Sequence, residues 1–225
     1  TVADSAAGGV TVGDGVYDFG SSVTVTATPK GYYHFIGWYE TGELISEDAE
    51  YTFIIASDRK LTARFTIESY TVQTVVDPDG TGTATGSGTY EKGTEATLKA
   101  TANVGYSFVG WYENGELVSD KAEYTFTVLA DRVLTAKFTE KYYNVNAVAL
   151  PGEGGTVSGG GTYQEGTIIT LRAEANEGYN FAGWYAEDGS LITTEQEFVH
   201  EVKENRTFKA RYQLISTYYN SYAYI

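Results

Sequence analysis

Residues 105–112 read GYSFVGWY, and the reading of this stretch decides the fold. Tyr106, Phe108, Gly110 and Tyr112 alternate with Val109 and Trp111. Alternation at a period of two is the signature of a β-strand. Both of its faces are apolar, so the strand belongs in the middle of a unit. Gly110 leaves a slot that a neighbouring ring or backbone can fill. The stretch is written twice more, as YYHFIGWY at 32–39 and GYNFAGWY at 178–185. Trp38, Trp111 and Trp184 therefore stand 73 residues apart, and Phe35, Phe108, Phe181 and Gly37, Gly110, Gly183 hold fixed places before them.

Outward from each tryptophan the agreement continues. Tyr17, Tyr90 and Tyr163 lie twenty-one residues before it. Gly20, Gly93 and Gly166 follow those tyrosines at one offset. Downstream, GWYETGELIS matches GWYENGELVS, and GWYAEDGSLIT carries one inserted residue. Fixed periods of this kind mark a repeat protein. The copies are read as 1–69, 70–142 and 143–216, with the first strand of copy one missing. The tail, 217–225, contains YNSYAYI and reads as the first strand of a fourth copy. Such an orphan strand is suited to β-strand addition in a neighbouring molecule. The junction TIES at 66–69 is short and free of Gly and Pro, which argues against a flexible linker.

Within each copy VTVTAT at 23–28 sends Val23, Val25 and Ala27 inward. Ala96, Leu98, Ala100 and Ile169, Leu171, Ala173 repeat this. The closing strand sends Leu61, Ala63 and Phe65 inward. Asn114-Gly115 between apolar runs predicts a tight hairpin, and Asp188-Gly189 serves the third copy. GTATGSGTYEKG and GTVSGGGTYQEG read as a second, glycine-rich hairpin. No window carries a helical period. The expected fold is all-β: an elongated tandem array of three small, mainly antiparallel modules of about six strands, β-sandwich-like or alternatively β-grasp-like.

The combination GY-x-F-x-GWY, G-x-L and D-R-x-L-T-A-x-F resembles the divergent internalin B-type repeat, a bacterial surface repeat related to the Listeria–Bacteroides repeat. The match is clearest at 105–112 with 134–138 and at 178–185. Copy one departs by an extra residue between Gly31 and Phe35, and copy three departs at FVHEV and RTFKARY. The resemblance implies a tandem module of secreted or wall-attached bacterial proteins, linked to adhesion and to spacing of other domains. It brings no catalytic motif.

Composition narrows the chemistry. Among 225 residues there is no cysteine, which excludes disulfides and thiolate sites. The chain opens at Thr1, without methionine, and is read as a piece of something longer. No run approaches the apolar length of a membrane-spanning helix, so no membrane insertion is expected. A net charge of −15 opposes nucleic-acid binding. His34 falls on a polar face and His200 at the inward place of Phe53 and Phe126, so both read as structural. Asp77-Pro78-Asp79-Gly80 lacks the twelfth-position glutamate of an EF-hand and reads as a turn. Acidic loops and junctions remain candidates for weak calcium binding; no other cofactor is expected. Asp58-Arg59, Asp131-Arg132 and Asn205-Arg206 read as turns closed by a local side-chain hydrogen bond.

These readings point to a non-catalytic extracellular segment acting as a stalk or spacer and in cell adhesion. At roughly 30 Å per module, three in line would reach ~90 Å. The alternative is a module binding glycans or host and matrix glycoproteins by stacking sugar rings on Tyr39, Tyr112 and Tyr185. Neighbouring repeats of the parent protein are the remaining expected partners.

Overall fold

The computed structural model describes residues 2–3 and 8–216. The tail at 217–225, read as a fourth copy's first strand, lies outside the described residues. The first repeat contributes β1 (Val2–Ala3), β2 (Gly9–Val12), β3 (Ser22–Pro29), β4 (Tyr33–Glu40), β5 (Glu43–Ser46), β6 (Glu50–Ile54) and β7 (Thr62–Ile67). The second contributes β8 (Ser69–Asp77), β9 (Gly82–Thr85), β10 (Gly88–Glu91), β11 (Glu95–Ala102), β12 (Tyr106–Glu113), β13 (Glu116–Ser119), β14 (Glu123–Thr127) and β15 (Arg132–Glu140). The third contributes β16 (Tyr142–Leu150), β17 (Gly155–Ser158), β18 (Gly161–Gln164), β19 (Ile168–Ala175), β20 (Tyr179–Tyr185), β21 (Leu191–Thr193), β22 (Glu197–Glu201) and β23 (Arg206–Leu214). The only helical turn among the described residues is the 3₁₀ turn Gly152–Gly154. The protein is all-β, with eight strands rather than about six in the second and third repeats. The additional strands are four residues or fewer, too short to show a period of their own.

Contacts divide the chain into two compact units. One comprises residues 1–75, 84–100 and 110–136, the other 76–83, 101–109 and 137–225. In the second unit, β18-β16-β23-β20-β21 form one sheet and β17-β19-β22 another. Val145, Trp184, Phe208, Ala210 and Tyr212 from the first sheet pack on Ile169, Leu171 and Ala173 from the second. This is a sandwich, not a β-grasp around a helix. In the first unit, β1-β7-β4-β5 and β2-β3-β6 enclose Val25, Ala27, Trp38, Leu61 and Ala63 in the same way. The strands between them follow the orders β10-β8-β15-β12-β13 and β14-β11-β9.

The sheets are mainly antiparallel, with one parallel seam that the sequence pattern does not announce. β16 runs parallel to β23 from Val145↔Arg206 to Leu150↔Arg211. β1 runs parallel to β7 at Val2↔Thr62 and Ala3↔Ala63. The first strand of a repeat thus closes against its last.

Three readings are corrected. The glycine-rich segment is not a hairpin: β17 pairs with β19 and β18 with β16, so the chain crosses from one sheet to the other. Gly159, at φ 91°, makes the crossing, and a Cβ there would lie 2.2 Å from the Thr170 carbonyl. Second, Val109 does not share a face with Trp111: Val109 is 42% exposed and Trp111 0%. In β4 and β20 a bulge shifts the register between Phe35 and Gly37 and between Phe181 and Gly183. The extra residue restores the preceding phenylalanine to the tryptophan's side. Phe35 meets Trp38 edge-on at 5.8 Å and Phe181 meets Trp184 at 6.2 Å. Third, the extra residue between Gly31 and Phe35 is not an insertion into the repeat. Tyr33 N–H bonds Lys30 O, as Tyr106 bonds Asn103 and Tyr179 bonds Asn176, and only the left-handed glycine has moved one place.

The bulge explains the invariant glycine before each tryptophan. Gly37, Gly110 and Gly183 face the leucine of the returning hairpin strand, and a Cβ would lie 2.4, 2.4 and 2.8 Å from Leu44, Leu117 and Leu191. The slot is filled by leucine. Each buried indole N–H donates to a backbone carbonyl, Ala49, Ala122 or Gln196, at 3.4, 3.3 and 3.2 Å. Gly110→Ala is expected to destabilise the protein by ~1–3 kcal/mol through overpacking. Gly152→Ala, where no atom stands within 4 Å, is expected to stay within about 0.5 kcal/mol of wild type. Urea unfolding of both variants checks this.

Candidate functional site

Tyr39, Tyr112 and Tyr185 are half-buried at the tip-proximal end of their strands. Each follows a tryptophan in regular register, so alternation turns it to the opposite side of the strand. Arg64 lies over the Tyr39 ring at 4.1 Å and Arg211 over Tyr185 at 4.3 Å. A guanidinium therefore occupies one face of each ring. The geometry is that of a cation–π cover on the hairpin's outer face.

The Asp-Arg offset builds a different contact. Arg59 donates to both oxygens of Glu40, at 3.1 and 2.7 Å, and stands 4.5 Å over Phe53. Arg132 repeats this on Glu113, at 2.9 and 2.6 Å, and 4.2 Å over Phe126. These forks clamp the turn before the last strand to the tryptophan strand. Hydrogen bonding from each arginine holds the Glu40 and Glu113 carboxyls below the usual carboxylate range. The third repeat has Ala186 in place of the glutamate, and Arg206 lies 5.2 Å over Phe208 instead. In the second and third repeats the residue before the arginine reaches away from its own turn. Asp131 Oδ1 accepts Thr71 N–H at 2.7 Å and Asn205 Oδ1 accepts Asn144 N–H at 2.8 Å, each on the first strand of its own repeat.

The junctions carry the contacts that sequence reasoning passed over. A single residue, Glu68, separates β7 from β8, and a single residue, Lys141, separates β15 from β16. Glu68 Oε2 pairs with Lys92 Nζ at 2.6 Å, and Lys141 Nζ pairs with Glu165 Oε1 at 2.9 Å. The two pairs occupy equivalent positions with the charges exchanged. Backbone bonds run beside them, Lys92 N–H to Glu68 O and Glu165 N–H to Lys141 O. At the second junction Gly105 is gripped as well: its carbonyl accepts from Lys141 N–H and from Gln164 Nε2, and its N–H donates to Glu165 Oε2. Lys141 and the Gly105 N–H both draw the Glu165 carboxyl below its ordinary range. A cavity of about 520 Å³ opens there, lined by Val104, Tyr106, Glu165, Gly166 and Lys203 among others. The exchange was readable in the sequence as opposite charges at matching repeat positions.

His34 is exposed. His200 is half-buried with its ring centroid 4.9 Å from Phe208, and burial pushes its pKa down. Its Nε2 has no hydrogen-bond partner among the described residues. Asp77-Pro78-Asp79-Gly80 forms a turn in which Thr81 Oγ1 donates to Pro78 O and Asn103 Nδ2 to Gly80 O. Among the described residues no three His, Asp or Glu side chains are grouped to hold a metal ion.

The profile of the divergent InlB B-repeat domain matches residues 1–69, 70–142 and 143–216. A protein of Evansella cellulosilytica bearing a membrane-protein name is 28% identical over 198 residues, which cover 84% of this chain and 29% of that protein. A second protein of the same organism, named as a Gly-rich membrane protein, is 30% identical over 195 residues, covering 85% of this chain and 22% of the relative. The chain thus spans under a third of the length of these relatives. The solved structure of the Bacillus anthracis TIE protein matches with a TM-score of 0.34 and 12% identity, over 84% of this chain and 41% of that one.

The clamp yields a pH prediction. Because Glu113 has a lowered pKa in the folded state, its contribution is present above the ordinary value of 4.5 and is lost as pH falls below it. Glu113→Gln is expected to lower stability by ~0.5–1 kcal/mol at pH 7 and to converge with wild type at low pH, as followed by urea midpoints.

Proposed function

This chain belongs to the divergent InlB B-repeat family, and we propose that it serves as a non-catalytic spacer in a bacterial surface or secreted protein, holding other domains away from the cell in adhesion. The membrane-protein names of the relatives support a place at the cell surface. The observation that carries the reading is the junction. One residue links successive repeats, and that residue's side chain is tied to the next repeat. A chain with no free linker transmits position and force from module to module. Its strong negative charge keeps such an array soluble and apart from its own kind of charge.

Adhesion by direct glycan binding is the alternative. It would need open faces on Tyr39, Tyr112 and Tyr185, and the arginines over Tyr39 and Tyr185 support a packing role instead.

Two measurements test the proposal. Lys141→Glu sets two acids against each other at the second junction, and adding Glu165→Lys recreates the polarity of the first. Small-angle X-ray scattering is expected to show a broadened distance distribution for the single variant and the wild-type distribution for the double. Equal profiles for all three would remove the junction from the account. In an array of polysaccharides, mucin and matrix glycoproteins, with and without calcium, no binding that depends on Tyr112 and Tyr185 is expected. A reproducible signal lost in folded Tyr112→Ala and Tyr185→Ala would replace the spacer by a binding module.

A further inference from the structure

His200 stands where the first two repeats have phenylalanine. It lies opposite Ile169 on β19, as Phe53 lies opposite Val23 and Phe126 opposite Ala96. In those repeats Arg59 or Arg132 covers the ring, and its charge is neutralised by a fork on Glu40 or Glu113. The third repeat has lost that clamp: Ala186 stands in the glutamate's place, and Arg206 lies 5.2 Å over Phe208. The imidazole packs edge-on against the same Phe208 at 4.9 Å. Phe208 in turn meets Phe198 at 5.4 Å, and Phe198 meets Trp184 at 5.6 Å. A titratable ring is thus the outer member of a chain of rings that ends in the tryptophan.

The surroundings suit the neutral ring alone. Nε2 is buried and has no hydrogen-bond partner among the described residues. Protonation makes both ring nitrogens donors and puts a charge on a ring that has no acceptor at Nε2. Four charged groups act on it. Arg206 at the start of β23 opposes the imidazolium, and so does Lys203, whereas Glu201 and Glu204 favour it. Glu201 is already paired with Lys203 at 2.7 Å, and Glu204 is exposed, where solvent and salt screen it. On β19 the facing residues Ile169 and Leu171 carry no charge. Tyr163 of β18, packed on the same core, keeps its hydroxyl on the Gly159 carbonyl. Burial and Arg206 outweigh the two acids, so the pKa lies below the ordinary 6.5. β22 is also well placed to yield: it is an edge strand, bonded only to β19 in the order β17-β19-β22.

We propose that His200 makes the third repeat a release point in mild acid: on taking up a proton it loosens β22 from β19 and opens that sandwich, while the first two repeats, built on phenylalanine and an arginine–glutamate clamp, stay closed. A folded-state pKa below the unfolded value means that the stabilisation is complete above pH 6.5 and is lost as pH falls through the folded value. The Glu40 and Glu113 clamps persist further into acid, because their carboxyls are held below the ordinary 4.5. Between these limits one module of three loosens. The device rests on the third repeat's own core and is independent of the spacer reading.

Hydrogen exchange of the full chain at pH 7.5 and pH 5.5, corrected for intrinsic rates, tests this. Amides of β19 and β22 are expected to lose protection at pH 5.5 by up to about tenfold, the limit for a histidine that stays neutral when folded and titrates at 6.5 when unfolded. Amides of β11 and β14 are expected to keep theirs. His200→Phe restores the residue of the other repeats and His200→Gln keeps a neutral polar side chain; each is expected to abolish the loss, and either one that folds decides the matter. By NMR the His200 ring proton is expected to titrate below 6.5. Equal protection of the third repeat at both pH values overturns the proposal. So does a loss that persists in a folded His200 variant, or an imidazole that titrates at or above 6.5.

Discussion

The parallel seam between the first and last strands of a repeat is the constraint on which the rest depends. The last strand, β23, sits between the first, β16, and the tryptophan strand, β20. Removing the first strand would take Val145 out of the core, uncover Phe208 and leave Asn205 without Asn144. That strand begins one residue after the preceding repeat ends. The junction ion pairs act on chain already held by sheet pairing.

The core of each sandwich was legible because it follows local rules. Alternation assigned the inward faces of β3, β11 and β19, and all nine of the inward residues named there are buried. The Asn-Gly turn was equally plain: Asn114 and Gly115 both have positive φ, as a tight hairpin requires. Other features were hidden for physical reasons. A bulge inserts one residue and inverts the apparent alternation, so Val109 was assigned to the wrong face. Glycines at 86–88 and 159–161 give the same local signal whether the chain turns back or steps to the other sheet. The parallel seam joins residues some sixty positions apart, beyond the reach of any sequence window.

The candidate site was half legible. The repeated tyrosines were found at once, but the arginine covers of Tyr39 and Tyr185 lie on a neighbouring strand whose register no spacing reveals. The Asp-Arg pairs were found and misassigned. The aspartate reaches back to the first strand and the arginine to the tryptophan strand, so one dipeptide ties three strands together in the second repeat. The charge exchange between Glu68–Lys92 and Lys141–Glu165 needed only a column-by-column comparison of the repeats. It preserves the ion pair at both junctions with its polarity reversed.

The absence of cysteine allows the central claim to be measured without background labelling. Spin labels at Lys121→Cys and Glu195→Cys, both exposed in the folded chain, would report the separation of the second and third repeats by double electron–electron resonance. Tight junctions predict one narrow distance distribution, which four Gly/Ser residues inserted after Lys141 should broaden. A wild-type distribution as broad as that of the inserted variant would contradict the account.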